Sequence, residues 1–553
     1  MKNFKQTNTI DKLRNFFLAN YFELLLLLLI TVFSYYLMSH TFKYKNNQFV
    51  LAAKVWSDFA AHIPLIRSFS LGNNLPPEYP TFPGEAIRYH FLFYYLVALL
   101  EKLGLNIALA LNLLSALGMT FLLWMIYKTT VLFFKTKKAG LLSIILFIFN
   151  GSLSFLFFIK NKKMNLSLIK QIINLENFIS FGPWDDKIIA AFWNLNIYTN
   201  QRHLALSFAL ALILIWPLLK IVFEKKNILN KWWLLFIWIS LSFFPLLHQA
   251  VYSMLVIFIF AWFLFHPKLV KTMGVAYGAA IVYSLPAFFA FPNASQISFH
   301  LGFLSVKKDL ISILNYWWYN IGLYLLLIPI ILIWAKKELR KFLLIFLFFF
   351  FLANSLKFSP DIINNHKLVN FFMIALEMAV AGFLVETLNK GLLKKAIVVF
   401  IIPCLIFSGV LDFFPILNDR YFYVNDYMKS KLSSWIKDHT EKDTVFLTTH
   451  YLYHQASLVG RKIFLDYGYF NWSLAYQDSE RRELLSVFFA ANINKRNLCS
   501  ALNSSAIDYI VISPGEGDLA NLNIRKSFLY RNFESISYSD NGYIIYDVKK
   551  ECL

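Results

Sequence analysis

Apolar runs of 16 or more residues recur between residues 21 and 413, and no other feature limits the fold as strongly. Such a run is out of place in a soluble domain, yet as a helix it crosses about 30 Å of hydrocarbon with its backbone groups satisfied. Composition agrees, with 58% hydrophobic and only 15% charged residues, which excludes an ordinary soluble domain. The pattern predicts a polytopic α-helical membrane protein.

Eleven stretches match the hydrocarbon thickness: 21–38, 106–134, 139–159, 204–223, 232–247, 250–265, 273–291, 319–335, 342–356, 371–389 and 396–413. With the N-terminus in the cytoplasm, the cytoplasmic pieces hold 19 Lys and Arg in 51 residues, against 15 in 139 for the opposite loops before the tail. Positive charge gathers on the cytoplasmic side of membrane proteins, so the asymmetry predicts a multi-pass plasma-membrane protein with its C-terminal tail outside. It also accounts for the net charge of +21 without a nucleic-acid partner. Phe91 to Leu103 is too short to cross and reads as a juxtamembrane or re-entrant helix on the outer face. A crossing there would put Lys135-Thr136-Lys137-Lys138 outside and invert every later basic loop. Residues 21–38 end in Ser34-Tyr35-Tyr36-Leu37-Met38 with no small-residue cleavage pattern, so they read as a span and not a cleavable signal peptide.

The organisation expected is a cytoplasmic lead (1–20), a membrane domain (21–413) with a long first outer loop (39–90), and an extracytoplasmic α/β domain (414–553). In the outer loop, Pro64, Pro76, Pro77, Pro80 and Pro83 break any long helix, and Asn47 to Ser70 is expected to form short helices along the membrane. In the tail, Thr444 to Thr448 and Ile507 to Ser513 read as buried strands and Asp478 to Asn492 as a helix. The three cysteines, Cys404, Cys499 and Cys552, are far apart and odd in number, suggesting neither a zinc site nor a disulfide framework. No phosphate-loop signature supports nucleotide binding.

Chemistry is expected in the first outer loop, where Asp58, His62, Arg88, Tyr89 and His90 gather among aromatic residues. On a helix, Asp58 and His62 share a face. A carboxylate at a water–lipid boundary beside aromatic rings has its pKa raised and suits a general base. Arg88, Arg202 and Lys367 come from three different outer loops, each next to a span, where cations are placed to hold a lipid-linked phosphate or, more blandly, anionic head groups. The cluster ending Gln201-Arg202-His203 serves as an interfacial anchor or as part of a site, and His366 sits beside Lys367. His248, between two short spans, reads as a hydrogen-bonded helix-end residue sooner than a ligand. Glu377 is read as a carboxylate facing the bundle interior and hydrogen-bonded to a neighbour.

This layout resembles the GT-C superfamily of polytopic membrane glycosyltransferases, which includes protein O-mannosyltransferases, oligosaccharyltransferases and aminoarabinose transferases of lipid A. The resemblance rests on an acid in a long first outer loop, juxtamembrane helices, about eleven spans and an outer α/β domain. Short patterns add to it: Asp58 through Pro64, Arg88-Tyr89-His90-Phe91, Gln201-Arg202-His203 and His366-Lys367. It implies an inverting transfer of sugar from a polyprenyl-phosphate donor, with Asp58 activating an acceptor protein, lipid or glycan. Arg88, Arg202 and Lys367 would then hold the donor phosphate, while His62, Tyr89, His90, Gln201, His203 and His366 bind substrate or assist a metal. Many members carry two adjacent acids in this loop. Here Asp58 stands alone, with Glu78 and Glu85 further on, which leaves participation of a divalent metal open. A secondary transporter or lipid flippase is the main rival, although broken helices, repeats and midplane charges would be expected of it. A non-catalytic scaffold would leave the first-loop cluster unexplained.

Overall fold

The computed structural model describes residues 9–160, 162, 165–179, 188–290, 297–515, 519 and 521–553. Residues 1–8 of the expected lead, and parts of the outer loops after residues 160 and 291, lie outside the described residues.

Helix α1 (Thr9–Thr41) starts well before the apolar run, because no Gly or Pro interrupts the chain from residue 9 to residue 41. After the first outer loop, with α2 (Trp56–Ser70) and α3 (Leu92–Lys102), comes α4 (Ile107–Phe134), which packs between α1 and α6 (Arg202–Glu224). The Asn106 side chain caps α4 by accepting from the Leu109 N–H at 2.9 Å. Contact between α4 and α6 is close because residue 118 is glycine: a Cβ there would lie 2.8 Å from the Leu206 Cβ. Helix α3, only 11 residues long, buries Phe93, Tyr94, Val97 and Ala98 along one side, as a short helix outside the spans should.

Seven described helices are long and apolar enough to cross a membrane, or eight if a bent pair counts as one span, compared with the eleven hydropathy suggests. Four local causes account for the difference between eleven and seven. The stretch 342–356 lies in a helix, Lys337–Ser355, whose start carries Lys337, Glu338, Arg340 and Lys341 and so is too charged for that count. The stretch 139–159 divides into α5 (Lys137–Ile148) and a six-residue turn of helix at Ser154–Ile159. Between them the backbone at Phe149 is pressed by Gly409, where a Cβ would meet the Phe149 carbonyl oxygen at 2.2 Å. The stretches 232–247 and 250–265 are two helices that meet without a loop at a kink, labelled together α7 (Lys231–Phe265). The backbone leaves helical geometry at His248 (φ −168°, ψ 97°), three residues after Pro245, and the pair counts once among the long helices. After α8 (Val275–Phe289), the stretch 319–335 becomes α9 (Leu310–Ile321) and α10 (Leu323–Trp334), bent by 97° at Gly322. Gly322 has φ +55°, a value that L side chains avoid. Helix α11 (Lys337–Ser355) leads to α12 (His366–Leu388), which is buried on nearly every side, and α13 (Leu392–Leu417) closes the bundle.

The outer loop does not begin with short helices. Phe42–Lys45 (β1) and Gln48–Ala52 (β2) form a hairpin turned by Asn46 and Asn47, both at positive φ (53° and 57°). Such values define the two-residue turn that matches strand twist. β2 also pairs with β3 (Tyr421–Asn425), so the hairpin catches the chain as it leaves the bundle. The tail holds a five-stranded sheet in the order β5 (Lys462–Ile463), β4 (Val445–Thr448), β6 (Tyr509–Ile512), β8 (Tyr543–Asp547), β7 (Ile536–Asp540). Two of its strands and the helix Ser479–Phe488 fall in the segments expected for them. Contrary to the cysteine spacing, Cys499 and Cys552 form a disulfide across 53 residues, because the helix Lys495–Ser504 packs against Val548–Glu551 at the chain end.

Candidate active site

Asp58 lies in the first turn of α2 and is half-buried. Among the described residues no hydrogen bond or ion pair reaches its carboxylate. Burial pushes the carboxyl up to about 6, an effect that the charge of Lys367 opposes. Lys367, the second residue of α12, is buried and donates to Asn364 Oδ1 at 3.0 Å. An acid of the first outer loop and a cation more than 300 positions later thus meet within electrostatic reach.

His62, one turn on from Asp58, is buried with its Nδ1 unpartnered. Burial, with Arg202 adding to it, lowers its pKa to about 3, so the ring is neutral. It packs against Tyr94 with ring centres 4.7 Å apart. The Tyr94 hydroxyl lies 2.9 Å from His203 Nδ1, and the Tyr89 hydroxyl lies 3.3 Å from His203 Nε2. Burial first, and then the charge of Asp58, raise the Tyr89 hydroxyl pKa and keep it protonated. His90 stacks on His248 with ring centres 4.2 Å apart and lies at the same distance from the His203 ring. Burial and these neighbouring imidazoles hold His90 neutral. Gln201 places its amide 3.2 Å from His366 Nε2, while His366 Nδ1 accepts from Asn370 at 3.0 Å. The cluster ending in His203 is therefore buried interior and not an interfacial anchor.

Two of the three expected phosphate cations are engaged elsewhere. Arg202 is fully buried, and its guanidinium donates to Thr199 O (2.7 Å), Asn112 Oδ1 (3.2 Å), Met38 O (3.1 Å) and Thr41 Oγ1 (2.7 Å). It clasps the end of α1 to α4 and α6, and only one of its five N–H groups is left without a partner, a poor fit to a phosphate seat. Arg88 turns toward the tail, donating to Ala475 O at 2.5 Å, pairing with Glu85 at 3.2 Å and lying 4.7 Å over the Tyr476 ring. Glu377 faces the interior as expected, but neither carboxylate oxygen finds the anticipated neighbour among the described residues.

The tail reaches this site. Tyr453 donates to the Trp56 carbonyl at 2.5 Å and packs at a tilt against the Trp56 ring, two residues from Asp58. Tyr469 donates to Asp361 Oδ2 at 2.8 Å, and Asp361 caps the turn leading into α12. Docking is secured by Arg67, which bonds Asp426 at 2.9 Å and Glu101 at 3.4 Å, and by Glu78 with Lys462. Close approach is possible because residues 72 and 460 are glycines; a Cβ at Gly460 would lie 2.4 Å from the Arg67 carbonyl oxygen.

His248 is the participant that sequence reasoning sets aside. His90, His203 and His248 each offer a ring nitrogen within 4.8 Å of the other two, and all three are buried. The available signal was Pro245 three residues earlier, which marks a weak point in a long helix.

No protein-family model matches the chain, and no curated protein sequence does either. Among solved structures, the chain is similar to the oligosaccharyltransferase of Archaeoglobus fulgidus tethered to an acceptor peptide containing the NVT sequon. That match has 13% identity and a TM-score of 0.41, covering 90% of this chain and 70% of that one. The apo form gives 11% and 0.43 over 89% and 70%. The archaeal oligosaccharyltransferase AglB in complex with an inhibitory peptide and a dolichol-phosphate gives 12% and 0.39 over 89% and 70%.

Proposed function

We propose that this protein is a membrane glycosyltransferase moving a sugar from a polyprenyl-phosphate donor to an acceptor on the extracytoplasmic face. The supporting observation is that Asp58, in the first turn of α2 and with no hydrogen bond among the described residues, lies within electrostatic reach of Lys367, a buried cation from a separate loop. Transfer needs a proton acceptor on the attacking side and positive charge on the departing side. Asp58 takes the proton of the acceptor nucleophile as that atom bonds to the anomeric carbon. The bond from that carbon to phosphate oxygen breaks on the opposite face, inverting the centre, and the electron pair leaves with the lipid phosphate beside Lys367. The neutral histidines and protonated tyrosines around them suit contacts with sugar hydroxyls.

The extracytoplasmic assignment draws on the basic inner loops and on the Cys499–Cys552 disulfide, since disulfides persist in oxidising compartments. Tyr453 and Tyr469 give the tail a place beside the donor, from which it positions the acceptor. One observation favours the transporter or flippase reading: Glu377 is buried in the bundle with both oxygens unpartnered, as in ion pathways. Proteoliposomes loaded with radiolabelled polyprenyl-phosphate sugar decide between them. Release of free lipid phosphate with labelled acceptor is expected; movement of intact donor between leaflets without cleavage would establish the rival.

A further inference from the structure

We infer that His90, His203 and His248 bind a divalent transition-metal ion of the zinc class. Their three ring nitrogens lie within 4.8 Å of one another and come from three elements: the end of the first outer loop, the start of α6 and the break in α7. Tetrahedral coordination at bond lengths near 2.1 Å sets nitrogens about 3.4 Å apart, so closing the trio on an ion needs side-chain shifts of about 1 Å.

Two further observations point to a ligand. The Nε2 atoms of His90 and His248 are buried and have no hydrogen-bond partner. Leaving a buried polar atom unpaired costs about 1–3 kcal/mol, and here two such atoms face a third imidazole. Tyr94, in turn, lies 2.9 Å from His203 Nδ1. It accepts the Nδ1 proton when Nε2 carries the metal, as the second partner of a ligating histidine does, and the Tyr89 hydroxyl, 3.3 Å from that Nε2, gives way to the ion. The charge of Lys367 also acts on His90, and a divalent ion and the Lys367 ammonium together make a seat carrying three positive charges for an anion. An all-imidazole set selects zinc, cobalt, nickel or copper over magnesium and calcium, which prefer oxygen. Three protein ligands leave a coordination position open. The role of that position, holding a phosphate oxygen of the donor, rests on the glycosyltransferase reading, but metal binding does not.

The test uses the full chain, free of any affinity tag, purified in detergent, stripped with chelator and titrated with Zn²⁺ or Co²⁺ without substrate. One ion per chain is expected, with an X-ray absorption shell containing three imidazoles. His248→Ala and the size-conserving His248→Gln should each weaken binding at least tenfold. Fewer than one ion per ten chains in the wild type, or a shell of oxygen ligands only, overturns the site, and neither result depends on a variant folding. Equal affinity in folded His248→Gln overturns the assignment of His248. Adding polyprenyl phosphate to the cobalt form should shift its visible bands. Unchanged bands with the ion bound would refute the phosphate role while leaving the metal site standing.

Discussion

Protonation of Asp58 links activity and stability in opposite directions, which makes pH the sharpest perturbation. Burial raises its carboxyl from the usual 3.8 to about 6, a rise that corresponds to about 3 kcal/mol against the charged form. As a general base Asp58 works ionised, so transfer should fall with acidification through about 6. Roughly nine-tenths of the carboxyl is ionised at pH 7 and one-tenth at pH 5, giving a loss of about tenfold. The other charged and titratable groups coupled to Asp58 are Lys367 and the hydroxyls of Tyr89, Tyr94, Tyr453 and Tyr469. All four tyrosines are shifted upward and stay neutral, leaving Lys367 as the charge that matters. Lys367 favours the carboxylate, so Lys367→Met should move the acid limb to higher pH. Stability runs the other way. The folded state binds this proton more tightly than the unfolded chain, so the contribution is complete below pH 3.8 and is lost as pH rises through about 6. Asp58→Asn should therefore raise the thermal midpoint at pH 7.5 while abolishing transfer. The assay is donor turnover from pH 4.5 to 9, with unfolding of both proteins in the same detergent. An acid limb near pH 4, or one that Lys367→Met leaves in place or moves down, would refute the reasoning.

Arg202→Ala should destabilise the bundle by roughly 3–5 kcal/mol, because it strips partners from four buried acceptors. Thermal unfolding reads the loss, and an unchanged midpoint with lost donor binding would instead restore Arg202 to the phosphate. Cys499→Ser should cost the tail about 4 kcal/mol by the chain-entropy relation for a loop of 53 residues, measured by urea unfolding with and without reductant. Gly460→Val, at φ +79° and against the Arg67 carbonyl, should cost about 1–3 kcal/mol and loosen tail docking. Limited proteolysis after residue 420 reports it, and wild-type resistance would count against the docking described.

Much of the site is legible in the sequence because its members form short polar patterns in or at the ends of the loops between apolar stretches: Asp58 with His62, Tyr89 with His90, Gln201 with His203, and His366 with Lys367. Adjacency to a span shows that a side chain sits near the outer boundary, but not which way it points. Arg88 and Arg202 share that position with Lys367, yet one grips the tail and the other clasps three elements inside the bundle. His248 escapes notice because it falls between two apolar stretches and reads as a turn residue, whereas it stands at the kink where two helices meet, buried against His90 and His203. The count of eleven spans is not confirmed, since apolar content reports burial in lipid or protein alike and says nothing of bends at Gly322 or breaks pressed by Gly409. The hairpin at Asn46-Asn47 carries its own turn signal, whereas the Cys499–Cys552 pairing spans 53 residues and has no local signature.

Release of lipid phosphate from a radiolabelled polyprenyl-phosphate sugar, compared between wild type and Asp58→Asn in membranes, tests the assignment of Asp58 most directly. The expected result is turnover by the wild type and a loss of about 10²- to 10⁴-fold in the variant with donor binding retained. Equal release by both proteins would contradict Asp58 as the base.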